Sequence, residues 1–324
     1  MRAKSDGFLD LVYDPEKACE ATMQPMQRYG MDAAIIFSDI LVIPKALGRD
    51  LGFVAGEGPI LDPLEKDDLF FSLFPTIGDK LAPVYEAISL TRKTMDHKGF
   101  SDKALIGFCG APWTLAMYML EGASSSGGFM KARAFSYRHE KLFYNLIDIL
   151  IEACAEHLIK QIEAGAQVVQ IFDSWAGLTD SHNFEKWVIG PTRRIVEKVR
   201  AVHPEIPIIG FPRGAGEHYV EYAKITNVNV VSLDHAVDTK IAARTLQPLV
   251  CLQGNLDPAC LLAGGEELHF HAGKIISDLK NKAGGFVFNL GHGVHKDTPT
   301  DHVEVLIKII KEQGRYDENQ KERW

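Results

Sequence analysis

The sequence lacks most of the marks that assign a function quickly. Neither a GxxxxGKS/T phosphate loop nor a GxGxxG opening a helix occurs in its 324 residues, and the glycine-rich Gly210–Gly216 stretch matches neither. No GxSxG surrounds Ser174. The five cysteines, Cys19, Cys109, Cys154, Cys251 and Cys260, form no CxxC pair and are odd in number, which suits a reducing cytoplasm rather than a disulfide framework. His292 and His295 are a weak metal pair without a third Cys or His close in sequence, so neither a metal nor a nucleotide is required. No basic stretch followed by an apolar run stands at the start. The uncharged stretch Ala104–Leu120 is interrupted by Gly107, Gly110 and Pro112, and reads as strand, loop and helix rather than as a membrane span. A net charge of −8 argues against a nucleic-acid-binding face.

What is present is an ordinary core: 46% hydrophobic and 24% charged residues. The length fits two average domains or one α/β barrel. Short β-rich apolar runs lie at Ala33–Ile40, Ala104–Cys109, Val168–Phe172, Ile206–Phe211, Val228–Leu233, Leu249–Leu252 and Gly285–Leu290. Helical spacing separates several of them, most clearly over Tyr137–Ala164, where Leu142, Leu146, Ile149, Leu150, Ala153, Leu158 and Ile162 line one face. Alternating strands and helices predict βαβ units and a parallel sheet, and consecutive apolar residues fit strands buried on both faces. The expectation is a single-domain α/β fold of the (β/α)8 barrel type, with a doubly wound sheet as the alternative. An eighth strand falls in Gly52–Leu61 or is missing. The tail after Gln313 is polar and reads as frayed or as a short final helix.

Polar residues follow each run. Ser38-Asp39 follows the first, Gly110–Thr114 and then Tyr118 the second, and Asp173-Ser174-Trp175-Ala176-Gly177 the third. Then come Pro212-Arg213-Gly214, Asp234-His235, Gln253–Asp257 and Gly291-His292-Gly293. In a parallel barrel the C-terminal strand ends converge on one face, where catalytic groups sit. Asp39 is the sharpest of these residues, a carboxylate between two apolar stretches, which is costly unless something pairs with it. It is either a buried ion-pair acid or the centre of an active site. Each of the others has an equally plain structural reading: His292 as a turn histidine, Ser174 as a helix cap, Tyr118 as core, Arg213 as an ion-pair partner. Asp173, Asp234 and Asp257 read as caps or ion-pair partners, and His269 and His271 as helix surface.

The segments DAAIIFSDILVIPKALG, GFCGAPWTLAMYMLEG, VVQIFDSWAG, IIGFPRGAG, LQGNLDP and FNLGHGVHKDTP resemble the successive blocks of the uroporphyrinogen decarboxylase family, in order and over nearly the whole chain. The resemblance implies a cofactor-free, homodimeric (β/α)8 barrel of haem and tetrapyrrole biosynthesis, located in the cytoplasm. Such an enzyme removes the carboxyl groups of four acetate side chains of uroporphyrinogen, giving coproporphyrinogen and CO2. It also implies that Asp39 faces the pyrrole N–H groups of the substrate, and that Arg2, Phe172, Tyr118, Ser174 and His292 contact it. The family's RQAGRYLPEY-like block, which brings two active-site arginines, has no counterpart in this sequence, and weak turnover is expected where those cations are missing. Two rivals remain: a related methyltransferase barrel, which would hold zinc through a His-x-Cys pair and a further Cys that the ends around His235 and His292 do not offer, and a non-enzymatic binding or scaffolding barrel.

Overall fold

Strand and helix alternate along the chain because short runs able to bury both faces are separated by segments with a single apolar stripe. The computed structural model describes residues 7–54, 58–65, 77–123, 127–280 and 282–314, and the chain divides into two compact units, Met1–Pro212 and Arg213–Trp324.

The first unit contains β1 (Ala33–Ile35), β2 (Leu51–Val54), β3 (Gly58–Leu61), β4 (Ala104–Gly110), β5 (Val168–Asp173) and β6 (Ile208–Pro212). Four of these lie parallel in the order β1-β4-β5-β6. The register sets Gly110 opposite Phe172, and Phe172 opposite Phe211. All of β6 is buried, as its unbroken apolar sequence requires. Helices Pro15–Tyr29 and Ala82–His97 cover β1 and β4 through a core that includes Met23, Met26, Ile36, Ile88, Leu105 and Phe108. The first of these helices is well bounded: Asp14 accepts from the amides of Glu16 and Lys17 at its start, and Gly30 ends it in the left-handed region at φ 60°.

The second unit contains β7 (Val230–Ser232), β8 (Cys251–Leu256) and β9 (Phe286–Leu290), parallel in that order, with Val231 opposite Leu252 and Asn255 opposite Asn289. Helices Thr239–Thr245, Gly265–Leu279 and Thr300–Gln313 follow the three strands. The α/β class and the parallel pairing expected from the sequence are therefore present in both units.

Three expectations need correction. The segment around Gly52–Leu61 is not an eighth parallel strand: β2 and β3 pair with each other antiparallel, as a separate two-stranded sheet. The first strand stops at Ile35 instead of Ile40. The Ile36 amide still reaches the Ile106 carbonyl at 3.0 Å, but the next amide, Phe37, donates to Thr22 Oγ1 at 2.9 Å, so the chain leaves the sheet there. The apolar residues that follow fold into the short helix Val42–Ala46. The long helical pattern is two helices, Met130–Arg138 and Glu140–Glu163, separated at His139 (φ −129°, ψ 46°). Of the face expected there, Leu146, Leu150, Ala153 and Leu158 are buried, while Leu142, Ile149 and Ile162 keep partial exposure. The expected polar tail lies outside the described residues, apart from Gly314.

Candidate active site

Asp39 follows β1 where the chain has just been pinned from both sides, by Ile106 at residue 36 and by Thr22 at residue 37. Its Oδ1 accepts the Leu41 amide at 2.8 Å, a turn that holds the carboxyl in one orientation. Asp39 keeps accessible surface, yet burial raises its pKa from the ordinary 3.8 to about 6, the Leu41 N–H pulling the other way. That shift is a preference for the neutral form worth about 3 kcal/mol. Tyr13, at the end of helix Phe8–Tyr13, faces it: burial and then the Asp39 charge push the phenol up to about 12. The hydroxyl of Ser38, one residue before, is buried without a hydrogen-bond partner among the described residues. Among the described residues no cation pairs with Asp39.

Phe172 lies two strands away at the end of β5. It is partly buried and packs with Ile40 onto the core that holds Phe108 and Ile36. Its ring meets Phe108 at 5.4 Å and Phe211 at 6.0 Å, both nearly perpendicular, so β4, β5 and β6 carry a continuous edge-to-face row. Each such pair contributes about 0.5–1.5 kcal/mol beyond its buried area. Of the three rings only Phe172 keeps partial exposure, and it is the accessible part of this apolar wall beside the Asp39 segment.

Tyr118 lies on helix Pro112–Glu121, where Pro112 to Leu120 are otherwise buried. It keeps accessible surface and is therefore not simply core. Its ring packs against Phe129 at 5.3 Å and Trp175 at 6.3 Å. Ser174 occupies the turn after β5 and is partly exposed; the cap position of the next turn falls on Trp175, so Ser174 does not cap a helix. Asp173 is no cap either. It is 1% exposed, accepts from Thr114 Oγ1 at 2.6 Å, and burial raises it to about 7.

In the second unit, Arg213, His235 and His292 come together at strand ends. Burial lowers the His292 pKa, helped by the charge of Arg213 and then of His235. Gly291 makes the approach feasible: a Cβ there would lie 2.3 Å from the His235 amide nitrogen. Asp234 is the structural partner expected of it, accepting from the Gly214 amide at 2.7 Å, the Tyr219 hydroxyl at 2.8 Å and the Ala236 amide at 2.9 Å. Asp257 caps helix Pro258–Ala263 through the Ala259 amide. His269 and His271 are exposed on helix Gly265–Leu279. Arg2 lies outside the described residues.

Sequence reading missed Tyr13, Thr114 and His235 as site neighbours. Thr114 and His235 stood inside the strand-end blocks, so a signal existed; Tyr13 carried none, because only the packing of an early helix brings it to Asp39. Among the described residues no cluster of His, Cys, Asp and Glu is arranged to hold a metal ion.

Known proteins match this chain over nearly its whole length. The model of the family described as uroporphyrinogen decarboxylase (URO-D) matches residues 1–313. A uroporphyrinogen decarboxylase of Chelativorans sp. is 48% identical over 314 residues, covering 96% of this chain and 89% of its own. Those of Brucella anthropi and Mesorhizobium japonicum are 46% and 44% identical, covering 96% and 97% of this chain and 89% of each relative. Among solved structures, a methyltransferase from Methanosarcina mazei superposes with a TM-score of 0.79 at 19% identity, covering 96% of this chain and 92% of that one. A B12-independent methionine synthase from Shewanella sp. does so with 0.57 at 14% identity, covering 92% and 85%. At such identities these two show a shared fold and nothing of the chemistry.

Proposed function

The chain belongs to the uroporphyrinogen decarboxylase family, and from that membership we propose how it carries out the decarboxylation of uroporphyrinogen in tetrapyrrole biosynthesis. It is a carboxy-lyase, and each turnover of one acetate side chain consumes a proton and releases CO2. Losing CO2 from an acetate on a pyrrole leaves an electron pair that needs a destination. Protonating the ring carbon first makes a cationic pyrrole; the C–C bond electrons then flow into the ring as CO2 departs. The exocyclic carbon that remains takes up a proton to become methyl, and the ring proton is released.

Asp39 stabilises that cation. Its carboxylate accepts from pyrrole N–H groups and stands in a desolvated position where its charge is weakly screened. This is the observation that carries the reading: an accessible acid, oriented by a backbone amide, with no cation paired to it among the described residues. Phe172 offers the apolar wall against the macrocycle. Ser174, Tyr118 and His292, with Arg213 near the histidine, supply donors and positive charge to the peripheral carboxylates. Arg2 has the same role in this reading. The chain is taken as one (β/α)8 domain, supported by the seven parallel strands among the described residues, and as a cytoplasmic homodimer, supported by family membership alone. No described helix is long and apolar enough to cross a membrane.

Anaerobic turnover of uroporphyrinogen, with porphyrin products separated after oxidation, tests the assignment. Asp39→Asn is expected to slow it by about 10²-fold or more, the range for losing one preorganised electrostatic partner. Wild-type rates in that variant would remove Asp39 from the centre of the mechanism.

A further inference from the structure

Two of the strand-end blocks, GAPWT and DSWAG, are joined by a single hydroxyl. Thr114 is 0% exposed, in the first turn of helix Pro112–Glu121. Its Oγ1 donates to Asp173 Oδ1 at 2.6 Å and accepts the Trp175 amide at 3.0 Å. The Trp175 carbonyl accepts Trp113 Nε1–H at 3.0 Å, and the Phe172 carbonyl accepts the Ala111 amide at 2.8 Å. Residues 172, 173 and 175 are thus all tied to the start of one helix, and Ser174 is the residue between them. One turn further along that helix stands Tyr118, whose ring packs on the Trp175 ring; Phe129 fills the other side at 5.3 Å from Tyr118 and 4.9 Å from Trp175.

A threonine hydroxyl has one hydrogen, and the Trp175 amide occupies a lone pair, so with the carboxyl ionised that hydrogen goes to Asp173, which also accepts from the Thr114 backbone amide. Asp173 Oδ2 has no partner among the described residues, so Thr114 is what holds this buried carboxyl. Valine has the same shape and would leave the Trp175 amide without this acceptor and the carboxyl with only the backbone amide of residue 114. Asp173 is too deeply buried to touch substrate.

We infer that Thr114 and Asp173 are positioning residues for Ser174 and Tyr118, fixing the Ser174 turn against the helix that carries the tyrosine. The inference rests on the substrate contacts proposed above for those two residues. A clamp that served stability alone would change melting temperature without changing the affinity of the folded enzyme.

Steady-state kinetics with uroporphyrinogen, alongside thermal melts, separate these cases. In Thr114→Val the KM is expected to rise about tenfold with kcat within about threefold, because Ser174 and Tyr118 hold the substrate equally in its ground and transition states. Thr114→Ser keeps the oxygen and is expected to return KM to within about twofold of wild type. Asp173→Ala removes the acceptor from the other end and is read in the same way should the valine variant not fold. A folded Thr114→Val or Asp173→Ala enzyme with wild-type KM overturns the inference, and so does a serine variant that behaves like the valine one. A wild-type chain without turnover would instead remove the proposed function, and this inference with it; the wild-type control keeps the two failures apart.

Discussion

The backbone amide of Leu41 donates to Oδ1 of Asp39 across 2.8 Å, two residues along the same turn. Among the described residues, the proposed central acid is therefore aimed by its own chain rather than by a charged partner. A paired arginine or lysine would orient it equally well, but would also neutralise the charge that the proposed cationic pyrrole needs. A backbone amide supplies direction and leaves the charge in place.

The acidity of that carboxyl predicts a pH profile. With a pKa raised to about 6 by burial, Asp39 is protonated below that value and cannot stabilise a cation. The kcat/KM of the free enzyme is expected to climb between pH 5 and 7 and then level, and Asp39→Asn is expected to lose that limb along with most of its rate. A variant retaining the same limb would place its origin elsewhere.

The two glycines around His292 are expected to behave differently. A methyl at Gly291 would lie 2.3 Å from the His235 amide nitrogen, whereas one at Gly293 meets nothing within 4 Å. Gly291→Ala should lower stability by about 1–3 kcal/mol, in the range for overpacking a tight contact, and raise KM by displacing His292. Gly293→Ala should leave the melting temperature nearly unchanged. Thermal melts of the two variants side by side check the contrast.

Asp173 makes the fold sensitive to base. Its pKa, raised by burial to about 7, means the folded chain holds that proton more tightly than the unfolded chain does. The resulting stabilisation is complete below pH 3.8 and is lost as pH rises through 7. Relative to wild type, Asp173→Asn should therefore gain melting temperature progressively from pH 5 to pH 8, by a free energy on the order of 1–3 kcal/mol. A difference that stays flat with pH would show that the carboxyl does not titrate in that window.

His157 acts in the opposite direction. It is 2% exposed, lies 3.2 Å from the Tyr85 hydroxyl through Nδ1, and burial lowers its pKa to about 3. A depressed base contributes stability above pH 6.5 that disappears as pH falls towards 3. His157→Gln should cost about 1–3 kcal/mol at pH 7.5, and less at pH 4, where the wild-type chain bears the strain of charging a buried ring. Urea melts at the two pH values measure the convergence.

Much of the fold and the positions of several candidate site residues were legible without coordinates. The seven parallel strands among the described residues fell within the seven apolar runs or a few residues from them, because a strand buried on both faces must be apolar at consecutive positions. The strand-end residues Asp39, Ser174 and His292 stood out because a polar group after such a run has to face something. The hairpin β2–β3 was misread because its short apolar segments look the same whether they pair with each other or with a barrel neighbour. The end of β1 was misread because Thr22, fifteen residues earlier, takes the amide that a neighbouring strand would have used.

The sequence by itself determined the strand–helix alternation, the positions of the polar strand ends and, through its ordered blocks, the family. Each of these depends on residues near one another along the chain, where local propensity and periodicity act. Only the tertiary structure decided which acid is accessible and which is sealed. Asp39 and Asp173 both follow apolar strands, yet one keeps surface and an amide-aimed carboxyl while the other is closed beneath Thr114, 59 residues away in sequence. Desolvation and hydrogen bonding are set by what packs against a group, and those neighbours come from helices that no local pattern brings to it.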